Sequence, residues 1–298
     1  MFIHRSLHCY PRIFSINYSA VVRMKKQKTN AGWIQFLDFG EDLGVETVYG
    51  QQVIHHFTRH THRTLCLGII EEGVRIYCCR QQRYEVIPGQ VFIIPPQEAH
   101  TCSTNEQEFH TYRLLFVSPD LLAMIIGDAG KDIHSQLLFN ELVIDNKKAF
   151  DQLNNLHSVL ESNETRLTKQ SFIISVVSNL IEQYTNVIFD FSMNCQHAKN
   201  IERIRIFIEE HYWKCFSLAD IAQIIYLNPF YLLRTFSQIL GVPPHIYQQQ
   251  VRIRHAKQLL AQKVPIAEVA SHTGFVDQSH FTRVFKKIVG MTPGEYRI

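Results

Sequence analysis

The sequence predicts an α+β chain in which a small β-barrel and its supporting helices precede an all-α domain holding two helix-turn-helix units joined by a long helix. Three observations predict it. Residues 45–117 divide into short apolar runs of strand length, separated by turn residues. After Ser118 the hydrophobic period becomes helical. The last hundred residues then repeat themselves at an offset of 48 to 49 positions, the mark of a duplicated supersecondary unit.

Residues 1–30, with Arg5, Arg12 and Arg23 and no acidic side chain, read as a leader or as an upstream start with Met24 beginning the folded protein. The barrel is expected over 31–118. Its strands fall at 64–70, 74–79, 83–87, 90–94 and 112–117, with turns at Gly73 and Pro88-Gly89 and a stop at Pro95-Pro96. Helices are expected at 119–126, 131–140, 149–161 and 168–187, forming a support region over 119–189. In the last of these, Phe172, Val176, Leu180 and Tyr184 make one stripe, flanked by Ile173, Val177 and Ile181. That width suits a helix packed against a partner subunit as well as its own domain, or burial within the domain alone. Residues 190–199 are polar and aperiodic and read as a linker to the domain 200–298.

At 298 residues the chain has room for two cores. No apolar run is long enough to cross a membrane. The seven cysteines are odd in number and form no C-x-x-C pair, which argues against a disulfide scaffold or a thiolate zinc site and for a reducing cytoplasm. The overall charge of +3 divides unevenly, with residues 29–198 at −9 and residues 199–298 at +6. An acidic body with a basic end suggests that the end faces a polyanion. Nonspecific packaging of nucleic acid would call for a far more basic chain.

In the repeat, Leu218-Ala-Asp-Ile-Ala222 matches Ile266-Ala-Glu-Val-Ala270. Leu232, Arg234, Phe236, Gly241, Pro244 and Tyr247 match Phe281, Arg283, Phe285, Gly290, Pro293 and Tyr296. Ser217 with Asp220 makes a capping box, Asn228 and Asp277 cap the second helix of each unit, and Gly241 and Gly290 close them. Removing the apolar faces leaves Phe230, Tyr231, Leu233, Arg234 and Ser237 exposed in the first unit. In the second it leaves Gln278, Ser279, His280, Thr282, Arg283 and Lys286. An α-helix fits the major groove, where Arg pairs with guanine and Gln with adenine, while Ser, Thr and Lys suit phosphates. The spacer helix 244–262, with Val251, His255, Leu259 and Leu260 inward, spans ~28 Å, close to the ~34 Å between successive major grooves on one face. Arg252, Arg254 and Lys257 on it are candidates for the intervening phosphates.

The text GFVDQSHFTRVFKKIVGMTPGEYR at 274–297, with LADIAQ at 218–223 and LLRTFSQILGVPP at 232–244, resembles the signature of the AraC family of bacterial regulators. The resemblance implies an effector-responsive transcription factor, activator rather than repressor, with double-stranded DNA, a small-molecule effector, a second copy of itself and RNA polymerase as partners, and no membrane. His60-Thr-His62, Glu71-Glu-Gly73, Pro88-Gly89 and Pro95-Pro-Gln-Glu-Ala-His100 resemble the cupin-like sensor barrel fused to many such regulators. That implies an effector pocket, for which His60, His62, Glu72, Tyr77, His100 and Arg113 are the candidates. Three imidazoles can hold Zn²⁺, Fe²⁺ or Ni²⁺. Metal-binding cupins, however, place an acid a few residues after the histidine pair, and Glu71 stands nine away. A polar effector pocket is therefore the expectation, with no metal and no cofactor assigned. The alternative is a metal-dependent cupin enzyme or metal sensor with a DNA-binding tail.

Overall fold

The computed structural model describes residues 23–28, 32–41, 43–54, 56–104, 108–127, 137–187 and 195–297. Eleven strands build two sheets among them. The first has the order β1 (Arg23–Lys28), β2 (Trp33–Asp38), β3 (Val45–Val53), β10 (His110–Val117), β5 (Leu65–Glu72), β8 (Val91–Ile94), β11 (Val143–Ile144). The second has the order β4 (Phe57–His60), β9 (His100–Ser103), β6 (Arg75–Cys79), β7 (Gln82–Val86). Every pairing is antiparallel. The sheets meet face to face, and the buried Tyr77 of β6 donates its hydroxyl to the carbonyl of Ile93 on β8, 3.0 Å away. Central β5 is buried on both faces from Leu65 to Ile70, which is why it reads as an unbroken apolar run. Gly68 interrupts that run because a Cβ there would stand 2.2 Å from the Phe92 ring.

Two expectations change here. Arg23–Lys28, assigned to the leader, pairs residue for residue with Trp33–Asp38 as an edge strand. An exposed, lysine-rich edge strand lacks the apolar alternation by which a strand is recognised, and its charges guard the open edge. The rest of the leader lies outside the described residues. So does most of the predicted helix 131–140, whose described part, 137–140, holds a β-bridge from Phe139 to Thr185 instead of a helical turn.

Ten helices follow among the described residues. Gly127, left-handed, ends α1 (Pro119–Ile126). Then come α2 (Lys147–Glu161) and α3 (Arg166–Tyr184), capped by Asn146 and Thr165. The wide apolar surface of α3 is used inside the chain. One side packs on α2 and α1, the other on α5 (Leu218–Gln223) and α7 (Pro244–Ala261). Helix α4 (Cys195–Glu210) begins within the expected linker and buries Ile201, Ile204 and Ile208. The repeat appears as α5, α6 (Pro229–Leu240), α7, α8 (Ile266–His272), α9 (Gln278–Val289) and the short α10 (Pro293–Tyr296). Ser217 and Asp220 form the capping box, Asn228 and Asp277 cap α6 and α9, and Gly241 and Gly290 close them in the left-handed conformation.

Candidate nucleic-acid interface and sensor site

Helices α6 and α9 are the second helices of the two units and carry the matched arginines. On α9, Gln278, Ser279, Arg283 and Lys286 are exposed and Thr282 is half-buried, so one face of this helix is polar and accessible. Phe281 and Phe285 hold the opposite face in a separate small core. His280 departs from expectation. It is buried against Phe275, with its Nε2 3.2 Å from a Glu164 carboxylate oxygen, so it anchors the start of α9 instead of facing a groove.

The first unit departs further. Phe230 and Leu233, expected on the exposed face, are buried at 5% and 4% exposure. Helix α6 packs on α1 of the sensor half, and Asn228 Nδ2 donates to the Met124 carbonyl at 2.9 Å. Tyr231 and Ser237 are half-buried, and the Ser237 hydroxyl donates to the Leu233 carbonyl of its own helix. Periodicity could identify Phe230 and Leu233 as surplus to their own unit's core. It could not show that both would be buried.

Both matched arginines meet carboxylates of the sensor half. Arg234 makes a two-pronged pair with Glu182 near the end of α3, at 2.9 and 3.4 Å. Arg283 reaches Glu164, two residues before α3 begins, at 3.2 Å. Burial tends to raise the Glu164 carboxyl, but His280 and Arg283 outweigh it and hold the group below the usual carboxylate range. Glu182 lies sixteen residues beyond the first residue of α3, ~24 Å at 1.5 Å per residue, and Glu164 lies just before that first residue.

Arg252, read as a phosphate contact, is buried at 1% exposure and donates to the carbonyls of Tyr212 and Lys214 at 2.7 and 3.1 Å. The other two residues nominated on this helix stay outside the core, with Arg254 exposed and Lys257 half-buried.

In the sensor barrel the structure brings His60, His62 and His100 together. Each offers a ring nitrogen within 4.8 Å of the others, and Tyr77 lies beside them, its ring 6.3 Å from that of His100. Burial pushes His100 down to about 4 and lowers His62, so both are neutral imidazoles at pH 7. Glu72 and Arg113 are not part of this group. Glu72 is exposed and accepts from Thr111, while Arg113 pairs with Glu71 and Glu161 and lies over the Tyr49 ring. Arg113 neighbours Tyr112 on β10 and so points to the other face of the sheet.

Sequence reading passed over Arg75, although strand alternation places it on the same face as Tyr77 and Cys79. It is 3% exposed among Tyr112, Phe92 and Phe57, with His110 at 3.4 Å and, among the described residues, no carboxylate partner. Its Nε has no hydrogen-bond partner. A buried guanidinium without a carboxylate partner carries a desolvation penalty, set here against His110 and three aromatic faces, that a methionine of similar length avoids. Arg75→Met is therefore expected to stabilise the effector-free protein by about 1 kcal/mol or more, read as a higher urea midpoint at unchanged slope. A lower midpoint would show that the guanidinium is compensated in the fold.

Known proteins match both halves. The model of an AraC-like ligand binding domain matches residues 43–177, and that of a helix-turn-helix domain matches residues 221–298. An uncharacterized HTH-type transcriptional regulator of Bacillus subtilis, YbfI, is 29% identical over 82% of this chain and 88% of its own length. The arabinose operon regulatory protein of Salmonella typhimurium is 42% identical over 28% of this chain and 30% of its own. Among solved structures, ToxT from Vibrio cholerae is similar over 85% of this chain and 97% of its own, at 17% identity and a TM-score of 0.35. A β-rich ligand-binding half joined to a double helix-turn-helix half defines a one-component transcription regulator, not an enzyme. The chain belongs to the AraC family of transcription regulators. It acts on DNA and answers to a small-molecule effector, and no helix among its described residues is long and apolar enough to cross a membrane.

Proposed function

We propose that this regulator reads two successive major-groove segments with α6 and α9, as an effector-responsive activator that works in the cytoplasm as a homodimer and engages RNA polymerase, and that its sensor half restrains both reading helices until effector arrives. One observation carries the restraint. The equivalent arginines of the two repeats, Arg234 and Arg283, each pair with a carboxylate at opposite ends of the same sensor helix, α3. The helix covers ~24 Å between its first residue, beside Glu164, and Glu182, of the same order as the ~34 Å spacing of the grooves the arginines would enter. Packing of α6 on α1, with Asn228 bonded to the Met124 carbonyl, adds to it, since α6 must leave the sensor half to be free to enter a groove. DNA and α3 thus compete for the same guanidinium groups. An effector that favours the separated arrangement raises DNA affinity by its own preference for that arrangement.

The test uses full-length protein without effector and a site selected from fragmented genomic DNA. The double variant Glu164→Gln, Glu182→Gln removes both carboxylate charges while keeping side-chain size. It is expected to bind that site about tenfold more tightly, equivalent to ~1.4 kcal/mol, with a smaller gain on adding effector. Affinity equal to the parent protein sinks the restraint. Footprinting of the same complex checks bipartite reading, which requires two protected segments about one helical turn apart.

A further inference from the structure

Three histidines of the sensor barrel stand together, each with its Nδ1 against a backbone carbonyl. His60 ends β4 and His100 opens β9, and the two are register partners across that pairing. His62 follows two residues after His60. Their ring centroids stand 4.3 Å (His60 to His100), 4.9 Å (His62 to His100) and 6.1 Å (His60 to His62) apart.

The Nδ1 atom of each ring faces a backbone carbonyl two residues away. The distances are 2.8 Å from His60 to Thr58, 2.9 Å from His62 to Thr64 and 2.9 Å from His100 to Glu98. A carbonyl oxygen only accepts, so these contacts are hydrogen bonds in the tautomer that carries its hydrogen on Nδ1, and the Thr64 hydroxyl lies 3.2 Å from the same atom of His62. A neutral imidazole protonated at Nδ1 presents a bare lone pair at Nε2. One ring nitrogen of each histidine lies within 4.8 Å of the others, so an ion among them would meet up to three imidazole lone pairs. Donation of the remote N–H to a backbone carbonyl is also the outer-shell pattern that orients metal-ligating histidines.

We infer that His60, His62 and His100 form a mononuclear site for a borderline divalent transition ion of the zinc, cobalt or iron(II) class, bound through three Nε2 atoms with at least one coordination position open. Imidazole nitrogens suit these ions, whereas magnesium and calcium demand oxygen ligands. Nitrogens around a tetrahedral zinc stand about 3.3 Å apart, given Zn–N bonds of 2.0–2.1 Å. The present separation closes to that by modest side-chain rotation, and His60, being exposed, is free to make it. Among the described residues no carboxylate or thiolate joins the cluster, so the remaining position is left to water or to a donor atom of the effector. Three neutral ligands leave the ion's charge uncompensated, which favours an anionic or oxygen-donor effector there. This assignment deepens the proposed sensing role but rests only on the barrel, independent of how the DNA is read.

The test is a titration of chelator-stripped, full-length protein with Co²⁺ alone, followed by visible absorption, with binding to the selected DNA site measured on the same samples. One equivalent per chain is expected, with the d–d bands of a low-coordinate nitrogen-ligated ion, bleached by competing Zn²⁺. His60→Ala, at an exposed position that the fold does not depend on, is expected to lower apparent Co²⁺ affinity at least tenfold and to remove the bands, as is His100→Ala. His272→Ala, at an exposed position in the second helix-turn-helix unit, is the control and leaves them intact. Absence of stoichiometric binding, or bands that survive in His60→Ala, overturns the site. If DNA binding persists in that case, the metal assignment falls alone and the regulatory reading stands.

Discussion

Arg283→Ala is expected to weaken specific DNA binding by ~1–3 kcal/mol, about 5- to 150-fold, and to relax base preference at a single position of the site. The reasons are local. Helix α9 is fixed by the Asp277 cap at one end and the left-handed Gly290 at the other, and Phe281 and Phe285 pin its inner face. That leaves Arg283 projecting from a rigid support, 60% exposed, with Gln278 and Ser279 one turn before it and Lys286 one turn after. A planar guanidinium on such a support can bond both acceptors of one guanine edge, which an ammonium cannot. Arg283→Lys should therefore keep the salt dependence of binding while losing the base preference. His280→Ala provides the contrast. Because His280 is buried against Phe275, its loss should lower stability and leave relative affinities among DNA sequences unchanged. The comparison is made by selecting sites from a randomised library with each full-length variant. A preference for the same bases in Arg283→Ala as in the parent would remove this residue from the reading face.

What the sequence discloses about this chain follows the range of the forces involved. Ser217 with Asp220, Asn228, Asp277, Gly241 and Gly290 all stand where sequence places them, because a cap or a left-handed closure is decided by neighbours within four residues. The central strands are legible for a similar reason, since an unbroken apolar run such as that of β5 has few other places to go. Helix α4 carried a readable signal in Ile201, Ile204 and Ile208, but the polar stretch before it masked its start. Strands β1, β4 and β9 are short or polar and gain their order from a partner strand rather than from their own pattern. The covered face of α6 lies furthest from local reading. Phe230 and Leu233 look like surplus apolar groups within their own unit, yet both are buried in a helix that also packs on α1 of the sensor half. Three of the six effector candidates, the histidines, meet at one point, because the β4–β9 pairing sets His60 opposite His100. Arg75 escaped because a charge on an inward-facing strand position contradicts the apolar pattern used to define the inside.

Arg252→Ala is expected to destabilise the protein by about 3 kcal/mol, combining lost charge-assisted hydrogen bonds with the cavity left behind. Arg252 and Gln248 stand one turn apart on α7, and both donate to the carbonyls of Tyr212 and Lys214 in the turn after α4. The second unit abuts the same turn, since a Cβ on Gly274 would lie 2.2 Å from the Trp213 carbonyl oxygen. Gly274 is also left-handed at φ +78°, so the turn of the second helix-turn-helix unit is fitted to this spot by both its conformation and its lack of a side chain. The turn at 212–214 is thus the joint through which the long helix sets the two reading helices relative to each other. Burial lowers the Arg252 guanidinium to about 10, which still leaves it charged throughout the physiological range. Arg252→Lys should recover little, because one ammonium cannot span two carbonyls held by a planar fork. A phosphate contact, the role its position on the spacer suggested, predicts the opposite pattern of unchanged stability with weaker, less salt-sensitive DNA binding. Urea unfolding separates the two. A loss below ~1 kcal/mol, within the range of ordinary surface substitutions and mild core changes, would return Arg252 to the DNA surface. A loss near the expected value, with affinity falling mainly on bipartite sites and little on single half-sites, would identify it as the residue that keeps the two units in register.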